Sequence, residues 1–450
     1  MQSLLDQSAL TNLAEGLVHA ARKAGADAAD AIAVRSISAN VDVREGAVEE
    51  SERSESDDVG LRVFVGRRQA VVSTNDIART DTSALVERAV AMARAAPEDH
   101  FAGLADPERL SKGHADLDLL DPDMPDVSEL ERRARVAEEA ALAVAGVTKS
   151  GGASSGVGIS GMVLVTSGGF HGAYLTSRQG LSMMAIAGEG TGMERDYDHS
   201  SALHGVDLEA PEAIGRRAGE RAVRRLNPRK VKTQALPVIF DTRLSGPLIG
   251  HLASAANGAS VARKASFLKD RLGERLFAPG IRIVDDPLRR RGLRSQPFDG
   301  EGVAVGRMNL VDDGVLISWL LDSATARELG MATTGHASRG VSSPPSPTPT
   351  NLYLEAGTLT PQQLIAETGN GFYVTDLIGM GTNLVTGDYS RGAAGFWIEN
   401  GELTYPVSEV TIAGHLLDMF RTLTPANDLA FKYGTNAPTL RVEGLTLAGQ

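Results

Sequence analysis

Residues able to do chemistry are sparse in this chain, and histidine supplies the first candidates. The 450 residues include nine histidines and no cysteine, so a metal site would have to combine imidazole with carboxylate ligands. Only His199 and His204 lie close together, with Asp196 and Asp198 beside them. A metal-binding pair on a helix is usually spaced by four residues with a glutamate as base, and no histidine here precedes a glutamate. We predict no metal site and no catalytic residue, and interpret both histidines as solvated residues of a strand and turn.

Two pairs of carboxylates are the next candidates for acid–base chemistry. Asp285 and Asp286 precede a proline, and Asp299 and Glu301 are each followed by glycine. Paired carboxylates act as general acid and base when they share a pocket. Aspartate before proline or glycine more commonly forms a turn by accepting hydrogen bonds from its own backbone. We interpret both pairs as turn residues.

Glycine is concentrated in three segments near the C-terminal end of the chain. They are residues 369–371, 379–383 and 386–388. Dense glycine lets another backbone approach closely, as when an extended peptide adds to the edge of a sheet. Ordinary turns between strands explain the same pattern equally well, so both interpretations stay open.

An earlier glycine pattern, from Gly156 to Gly161, matches the dinucleotide-binding fingerprint in its letters. That fingerprint requires a preceding strand and a following helix whose N-terminus holds the pyrophosphate. Here a polar stretch of glycine and serine precedes the pattern, and the strand-like Met162 to Val165 follows it. We interpret the pattern as a turn between short strands.

Composition argues against several classes of protein. A length of 450 residues predicts two domains, and a net charge of −12 argues against a nucleic-acid-binding surface. A chain without cysteine forms no disulfide, which is consistent with a reducing compartment. Met1 to Gln7 shows no basic segment leading into an apolar one, and no apolar run approaches the roughly 20 residues of a membrane helix. We expect a soluble, cytoplasmic protein without a signal peptide.

Hydrophobic periodicity predicts an α+β fold. Leu10, Leu13 and Leu17 share one helix face, and period-two alternation beginning near Ile32 indicates antiparallel strands with one wet face. Further helices follow, one of them beginning at a capping box that starts with Ser128.

The second half of the chain has a different pattern. Helices become rare beyond residue 237, and short apolar runs separated by glycine favour a barrel or sandwich. The proline-rich segment 342–349 is predicted to be a surface loop outside any sheet ladder. We predict an N-terminal domain of helices and antiparallel sheet over residues 1–228 and a strand-rich domain over residues 229–450.

Several longer motifs, occurring in one order along nearly the whole chain, are more specific than any of these patterns. They are residues 43–49, 192–197, 266–269, 285–287, 297–302, 386–396 and 408–414. Together they resemble the TldD/PmbA family, in particular its PmbA branch, which is also called TldE.

The resemblance implies one subunit of a cytoplasmic zinc peptidase that degrades unfolded or unstructured peptides. The TldD branch carries His-Glu-x-x-x-His on a helix and a cysteine near its C-terminus. The matching helix here has Gly250, His251 and Ala255 at those three positions, and the late segment 429–434 has no cysteine. The resemblance therefore implies no metal in this chain, with zinc held by a TldD-type partner in a heterodimer.

The resemblance also implies a peptide-contact segment. Its six candidate residues are Gly379, Gly381, Thr382, Asn383, Thr386 and Gly387.

Two alternative functions stay open at this point. One is a homodimeric, non-catalytic binding protein, such as an adaptor for an antitoxin or a modulator of DNA gyrase, a role with which the family is linked by name. The other is a peptidase that acts alone through His199, His204 and nearby carboxylates.

Overall fold

The computed structural model describes residues 7–77, 81–113 and 116–449. Residues 1–6, which carry most of the expectation about a signal peptide, lie outside these ranges. None of the helices within them is long and apolar enough to cross a membrane. The fold is α+β, with a helix-and-sheet region first and a barrel-based region second, as the sequence predicted.

The first region contains a six-stranded sheet in the order β3-β2-β1-β4-β5-β6. Every neighbouring pair of strands is antiparallel. The strands are β1 (Ala28–Arg44), β2 (Ala47–Val65), β3 (Arg68–Thr74), β4 (Val147–Thr166), β5 (His171–Ala187) and β6 (Glu194–Ala202). The predicted antiparallel strands are therefore present, and they are longer than the apolar runs suggested.

Strand β4 corrects the interpretation of the glycine pattern that begins at Gly156. That segment is not a turn, because Gly156 pairs with Asn40 of β1, and Gly161 pairs with Leu175 of β5. Glycine weakens an isolated strand, but here strands on both sides supply the hydrogen-bond ladder. Since no helix follows, the segment still lacks the geometry of a dinucleotide site.

Four helices cover one face of this sheet. They are α1 (Ser8–Lys23), α2 (Thr82–Ala95), α3 (Val127–Leu142) and α4 (Pro211–Arg224). Helices α1 and α2 pack on alternate residues of β1 such as Ala31, and α3 and α4 pack further along the same face, on residues such as Val43. The N-cap of helix α3 is Asp126 and not the predicted Ser128, because the Asp126 side chain accepts a hydrogen bond from the backbone N–H of Glu129 at 2.8 Å.

The second region is built on a closed five-stranded barrel in the order β16-β15-β14-β7-β19, which β19 closes onto β16. Only β7 and β14 are parallel. The strands are β7 (Gln234–Phe240), β14 (Gly371–Ile378), β15 (Asp388–Glu399), β16 (Glu402–His415) and β19 (Leu440–Ala448). Helix α5 (Thr242–Ala255) follows β7 and packs Leu248, Ile249 and Leu252 into the barrel's core.

Shorter elements surround the barrel. The strands are β8 (Ile283–Asp285), β9 (Met308–Asp312), β10 (Val315–Leu316), β11 (Ala337–Ser338), β12 (Ser346–Pro347), β13 (Leu352–Leu354), β17 (Thr424–Pro425) and β18 (Thr435–Asn436). The helices are α6 (Gly258–Ala262), α7 (Ser323–Glu328), α8 (Pro361–Thr368) and α9 (Leu416–Arg421). Short 3₁₀ helices occur at Pro107–Arg109, Gly190–Gly192 and Gly205–Asp207. Helices are thus shorter, but more numerous, than the sequence predicted for this half.

The proline-rich segment 342–349 is also not wholly a loop. Its residues Ser346–Pro347 pair with Ala337–Ser338 in a short antiparallel ladder. Proline cannot donate to a ladder, but the Pro347 carbonyl accepts a hydrogen bond from the side chain of Asn257 at 2.6 Å. The ladder therefore tolerates a proline at this edge.

A buried ionic contact joins the two regions. In the sheet, the Arg62 guanidinium lies 2.5 and 2.9 Å from one carboxylate oxygen of Asp30. Arg339, from the second region, bonds the other oxygen. All three side chains are buried, with exposed fractions of 4% for Arg62, 2% for Asp30 and 0% for Arg339. The second region thus packs against this sheet through a shared carboxylate.

Candidate functional site

The structure places the six predicted peptide-contact residues in a single loop between β14 and β15. These residues are Gly379, Gly381, Thr382, Asn383, Thr386 and Gly387. We call residues 379–387 the barrel loop. Whether it contacts a peptide stays a prediction.

The barrel loop is held by its own hydrogen bonds. The side-chain oxygen of Asn383 accepts from the N–H of Val385 at 2.9 Å, and the Asn383 carbonyl accepts from Gly387 N–H at 2.7 Å. The Gly381 carbonyl accepts from Ser390 N–H at 2.7 Å. A methyl group on Gly381 would overlap the carbonyl oxygen of Ser390. The close backbone approach that this glycine permits is therefore made to the chain's own strand β15.

Helix α5 supports the loop from below through His251. Its Nε2 atom lies 3.3 Å from the Thr382 hydroxyl, and its ring meets the Tyr389 ring edge to face at 5.9 Å between centroids. Burial lowers the pKa of His251, and nearby Arg391 lowers it further. A neutral imidazole can accept a hydrogen bond from Thr382. Sequence reasoning gave His251 no role, because nothing in its neighbours along the chain points to Thr382, 131 residues away.

The outer surface of the same loop region is apolar. The solvent-exposed fractions are 65% for Ile378, 101% for Met380 and 58% for Val385. Exposed apolar residues that lie this close together along the chain are candidates for contact with another molecule. The loop therefore combines a bonded inner side with an apolar outer side.

The family's zinc site does not fit the residues present. At the three matching positions of α5, Gly250 has no side chain, His251 contacts Thr382, and Ala255 is fully buried. The late segment 429–434 offers no imidazole, thiolate or carboxylate. Within residues 7–77, 81–113 and 116–449, no group of three or more potential ligands is close enough to hold a metal ion. A hydrolytic zinc ion needs about three protein ligands.

The two neighbouring histidines have separate structural roles. His204 is buried rather than solvated, and its Nε2 atom lies 2.9 Å from the carbonyl oxygen of Asp118. His199 is half-buried on β6, with ring contacts to Tyr197 at 6.0 Å and Tyr433 at 5.3 Å. Their interpretation as solvated loop residues was wrong, because segments distant in sequence cover both of them.

The aspartates beside the histidines are bound to arginines. Asp196 accepts from Arg243 at 2.7 Å, and Asp198 accepts from Arg217 at 2.6 Å and from Arg221 at 2.8 Å. A carboxylate neutralised in this way is a poor metal ligand or general base. The structure therefore does not support a peptidase site built from this segment.

The first carboxylate pair divides into two environments. Asp286 forms the predicted turn by accepting from the N–H of Leu288 at 3.1 Å. Asp285 does not form a turn, because it is buried in β8, where it accepts from His336 Nε2 at 3.1 Å and from Thr350 N–H at 2.8 Å. Both partners of Asp285 are distant in sequence, so the local turn rule could not find them.

The second pair forms the predicted turn in a buried setting. One oxygen of Asp299 accepts from the N–H groups of Glu301 and Val303, each at 2.9 Å. Both acidic side chains are buried. Burial, with the neighbouring Glu301 charge, raises the pKa of Asp299 to about 8, and burial also raises the pKa of Glu301.

Solved structures share this pairing of an antiparallel sheet layer with a closed barrel. A candidate modulator of DNA gyrase from Bacteroides thetaiotaomicron superposes with a TM-score of 0.89 and 29% identity, covering 98% of each chain. TldE from Thermococcus kodakarensis superposes with a TM-score of 0.85, covering 97% of this chain and 99% of that one. At 19% identity the second likeness shows the fold alone. The architecture is thus that of a known class of two-region α+β proteins.

Sequence comparison identifies the family. Residues 29–93, 120–226 and 233–449 match the models for PmbA/TldA metallopeptidase domain 1, the central domain and the C-terminal domain. Metalloprotease PmbA from Escherichia coli O157:H7 is 38% identical over 94% of this chain and 93% of its own length. The chain belongs to the PmbA/TldD metallopeptidase family, in its PmbA branch, as the motifs implied.

Proposed function

We propose that this chain is the metal-free subunit of a cytoplasmic two-subunit peptidase for unfolded or unstructured peptides. A TldD-type partner would supply the zinc ion, and with it the activated water that cleaves the peptide bond. The observation that carries this proposal is the lack of metal ligands on α5. Gly250 and Ala255 occupy the two positions at which the TldD branch has its histidine ligands. A family member without these ligands depends on a companion for hydrolysis.

The barrel loop is the part of the chain that we assign to the shared active chamber. Its inner hydrogen bonds join the Gly381 carbonyl to Ser390 of strand β15 and the Thr382 hydroxyl to His251 of helix α5. Its outer side offers apolar contact through Met380 and Val385. A preformed apolar surface loses little conformational entropy on binding. The loop would therefore form a wall against which the partner and an extended peptide pack.

Reconstitution tests the proposal. The chain and a TldD-type protein from the same genome are purified separately and assayed on an unstructured, fluorescently labelled peptide, alone and mixed. Hydrolysis should require the mixture, and metal analysis should find zinc in the partner only. Equal turnover by the partner alone, or stoichiometric zinc in this chain alone, would refute the proposal.

A matched pair of variants tests the surface. Met380→Asp places a charge on the exposed barrel loop, whereas Met92→Asp makes the same change at an exposed position of α2. Only Met380→Asp should weaken association with the partner in size-exclusion and light-scattering measurements. If the chain instead forms a stable homodimer that the partner does not disrupt, it acts as a separate binding protein and not as this subunit.

A further inference from the structure

A cavity of about 300 Å³ lies where the end of β6 meets the second region. Its lining includes the consecutive arginines Arg289, Arg290 and Arg291 together with the aromatic residues Phe431 and Tyr433. We propose that this arginine cavity binds the C-terminal carboxylate of a peptide. The proposal rests on the proposed function in one respect, namely that peptides are the ligands of this family member.

The charge balance of the arginine cavity favours a single negative charge. Arg290 and Arg291 both pair with Asp118, at 2.9 and 2.6 Å, and Arg291 also pairs with Asp207 at 3.1 Å. These two arginines are thus balanced by two carboxylates. Arg289 has no ion pair among the described residues. One unbalanced guanidinium matches one carboxylate better than it matches a phosphate dianion.

The position of Arg289 suits a flat, two-oxygen ligand. Its guanidinium carbon lies 3.4 Å from the centroid of the Phe431 ring, and the Tyr353 ring supports Phe431 edge to face at 5.1 Å. Contact with an aromatic face holds the guanidinium plane while its edge N–H groups stay available. Those N–H groups can donate two parallel hydrogen bonds to a carboxylate.

The turn that carries the arginines is fixed before any ligand binds. Arg291 and Asp118 both have φ of 53°, a conformation that non-glycine residues rarely adopt. The N–H of Arg291 donates to the carbonyl of Leu117 at 2.9 Å, beside the ion pair to Asp118. These bonds hold both residues in a strained backbone conformation, and such strain is maintained most often at functional sites.

A second cavity shares a lining residue with the first, and we assign the rest of the peptide to it. It has a volume of about 500 Å³ and shares Ser201 with the arginine cavity. Residues of the sheet line it, among them Val157 and Leu181, the charged Arg178, and His199. Tyr433 of the arginine cavity contacts the His199 ring at 5.3 Å. The residues that precede a bound carboxylate would therefore run along the sheet.

Peptide binding by the purified chain, without any partner, tests the proposal. An N-terminally labelled hexapeptide of apolar residues is titrated as the free acid, as the C-terminal amide, and as an amide that carries one glutamate. Fluorescence anisotropy should show the free acid binding about tenfold or more tightly than either amide, because a charged hydrogen-bonded pair is lost. Equal affinity for the acid and the plain amide overturns the proposal. Preference for the glutamate peptide reassigns the site to acidic side chains and overturns it as well.

Substitutions of Arg289 test whether this residue causes the preference for the free acid. Arg289→Gln should reduce the affinity for the free acid to that for the amide, and Arg289→Lys should restore part of the difference. Arg282→Gln, which removes an exposed arginine paired with Asp312 outside the cavity, should change nothing. Inorganic phosphate that competes more strongly than acetate would indicate a phosphate site instead and overturn the assignment. The binding assay uses the purified chain alone and requires no peptide cleavage. If the chain binds the free acid selectively but the mixed subunits show no turnover, only the proposed function is refuted.

Discussion

Asparagine in place of Asp30 should strongly destabilise the protein, because Asp30 pairs with two buried arginines. Arg62 lies 2.5 Å from one of its oxygens and Arg339 bonds the other, 309 residues away in the chain. Removing one partner of a buried ion pair costs about 3–5 kcal/mol, since the remaining charge has no compensation. We expect Asp30→Asn to lower the free energy of unfolding by about that amount, out of a typical total of about 5–15 kcal/mol.

The matched control is Asp57→Asn. Asp57 lies on the neighbouring strand β2 and pairs with Arg35 at 2.6 Å, but the two side chains are 38% and 26% exposed. An exposed ion pair contributes about 0–1 kcal/mol. Urea unfolding followed by circular dichroism should therefore separate the two variants clearly. An Asp30→Asn protein within about 1 kcal/mol of the parent chain would show that the shared carboxylate does not hold the regions together.

The pH dependence supplies a second measurement on the same residue. Burial alone would raise the pKa of Asp30, but Arg339 and Arg62 lower it below the ordinary value of 3.8. A carboxyl group with a lowered folded-state pKa stabilises the protein above its ordinary pKa, and that contribution is lost as pH falls through the folded value. The difference between Asp30→Asn and the parent chain should thus be largest at neutral pH and shrink below pH 3.8.

Three further predictions concern other parts of the second region. The raised pKa of Asp299, about 8, means that the folded state keeps a proton which the unfolded state releases near 3.8. The contribution of this group to the free energy of unfolding should therefore decrease as pH rises between these values, and Asp299→Asn should remove that decrease in a series of urea titrations. Gly250→Ala should raise the free energy of unfolding by about 1 kcal/mol, because this glycine lies inside α5 and no atom lies within 4 Å of an added methyl group. Gly381→Ala should reduce peptide turnover by the mixed subunits about tenfold to a hundredfold, because the methyl group forces the barrel loop away from Ser390. Gly250→Ala is its control in the turnover assay, and unchanged turnover by Gly381→Ala would remove the loop from the active chamber.

The sequence predicted the elements whose cause is local. Helix α1 buries Leu10 and Leu17 on one face, and Leu13 packs beside them, as their spacing predicted. The alternation near Ile32 corresponds to β1, and the glycine-separated apolar runs correspond to a barrel with short flanking strands. These predictions needed only periodicity and composition. The division into domains 1–228 and 229–450 stays a prediction.

Features that depend on distant partners were missed or misinterpreted. Strand β4 was divided into turns because its glycine and serine content is unfavourable alone, and only strands β1 and β5 make it a strand. Asp285 was assigned to a turn because Thr350, its partner 65 residues away, is invisible to a local rule. The run of three arginines at 289–291 was a local signal that sequence reasoning passed over, because its pairing with Asp118 appears only in the fold.

The arrangement around α5 links the family's chemistry to this chain's shape. Where the TldD branch has a ligand, Gly250 has open space beside it, and where that branch has the general base, His251 bonds Thr382 of the barrel loop. Helix α5 therefore lacks the residues of the family's metal site, but it contacts the barrel loop through His251. The backbone of the loop is also tied to strand β15, because the N–H of Ser390 donates to the carbonyl of Gly381. A chain that has this support for the loop but lacks the metal ligands is suited to present a surface to a partner, which is the role we propose for it.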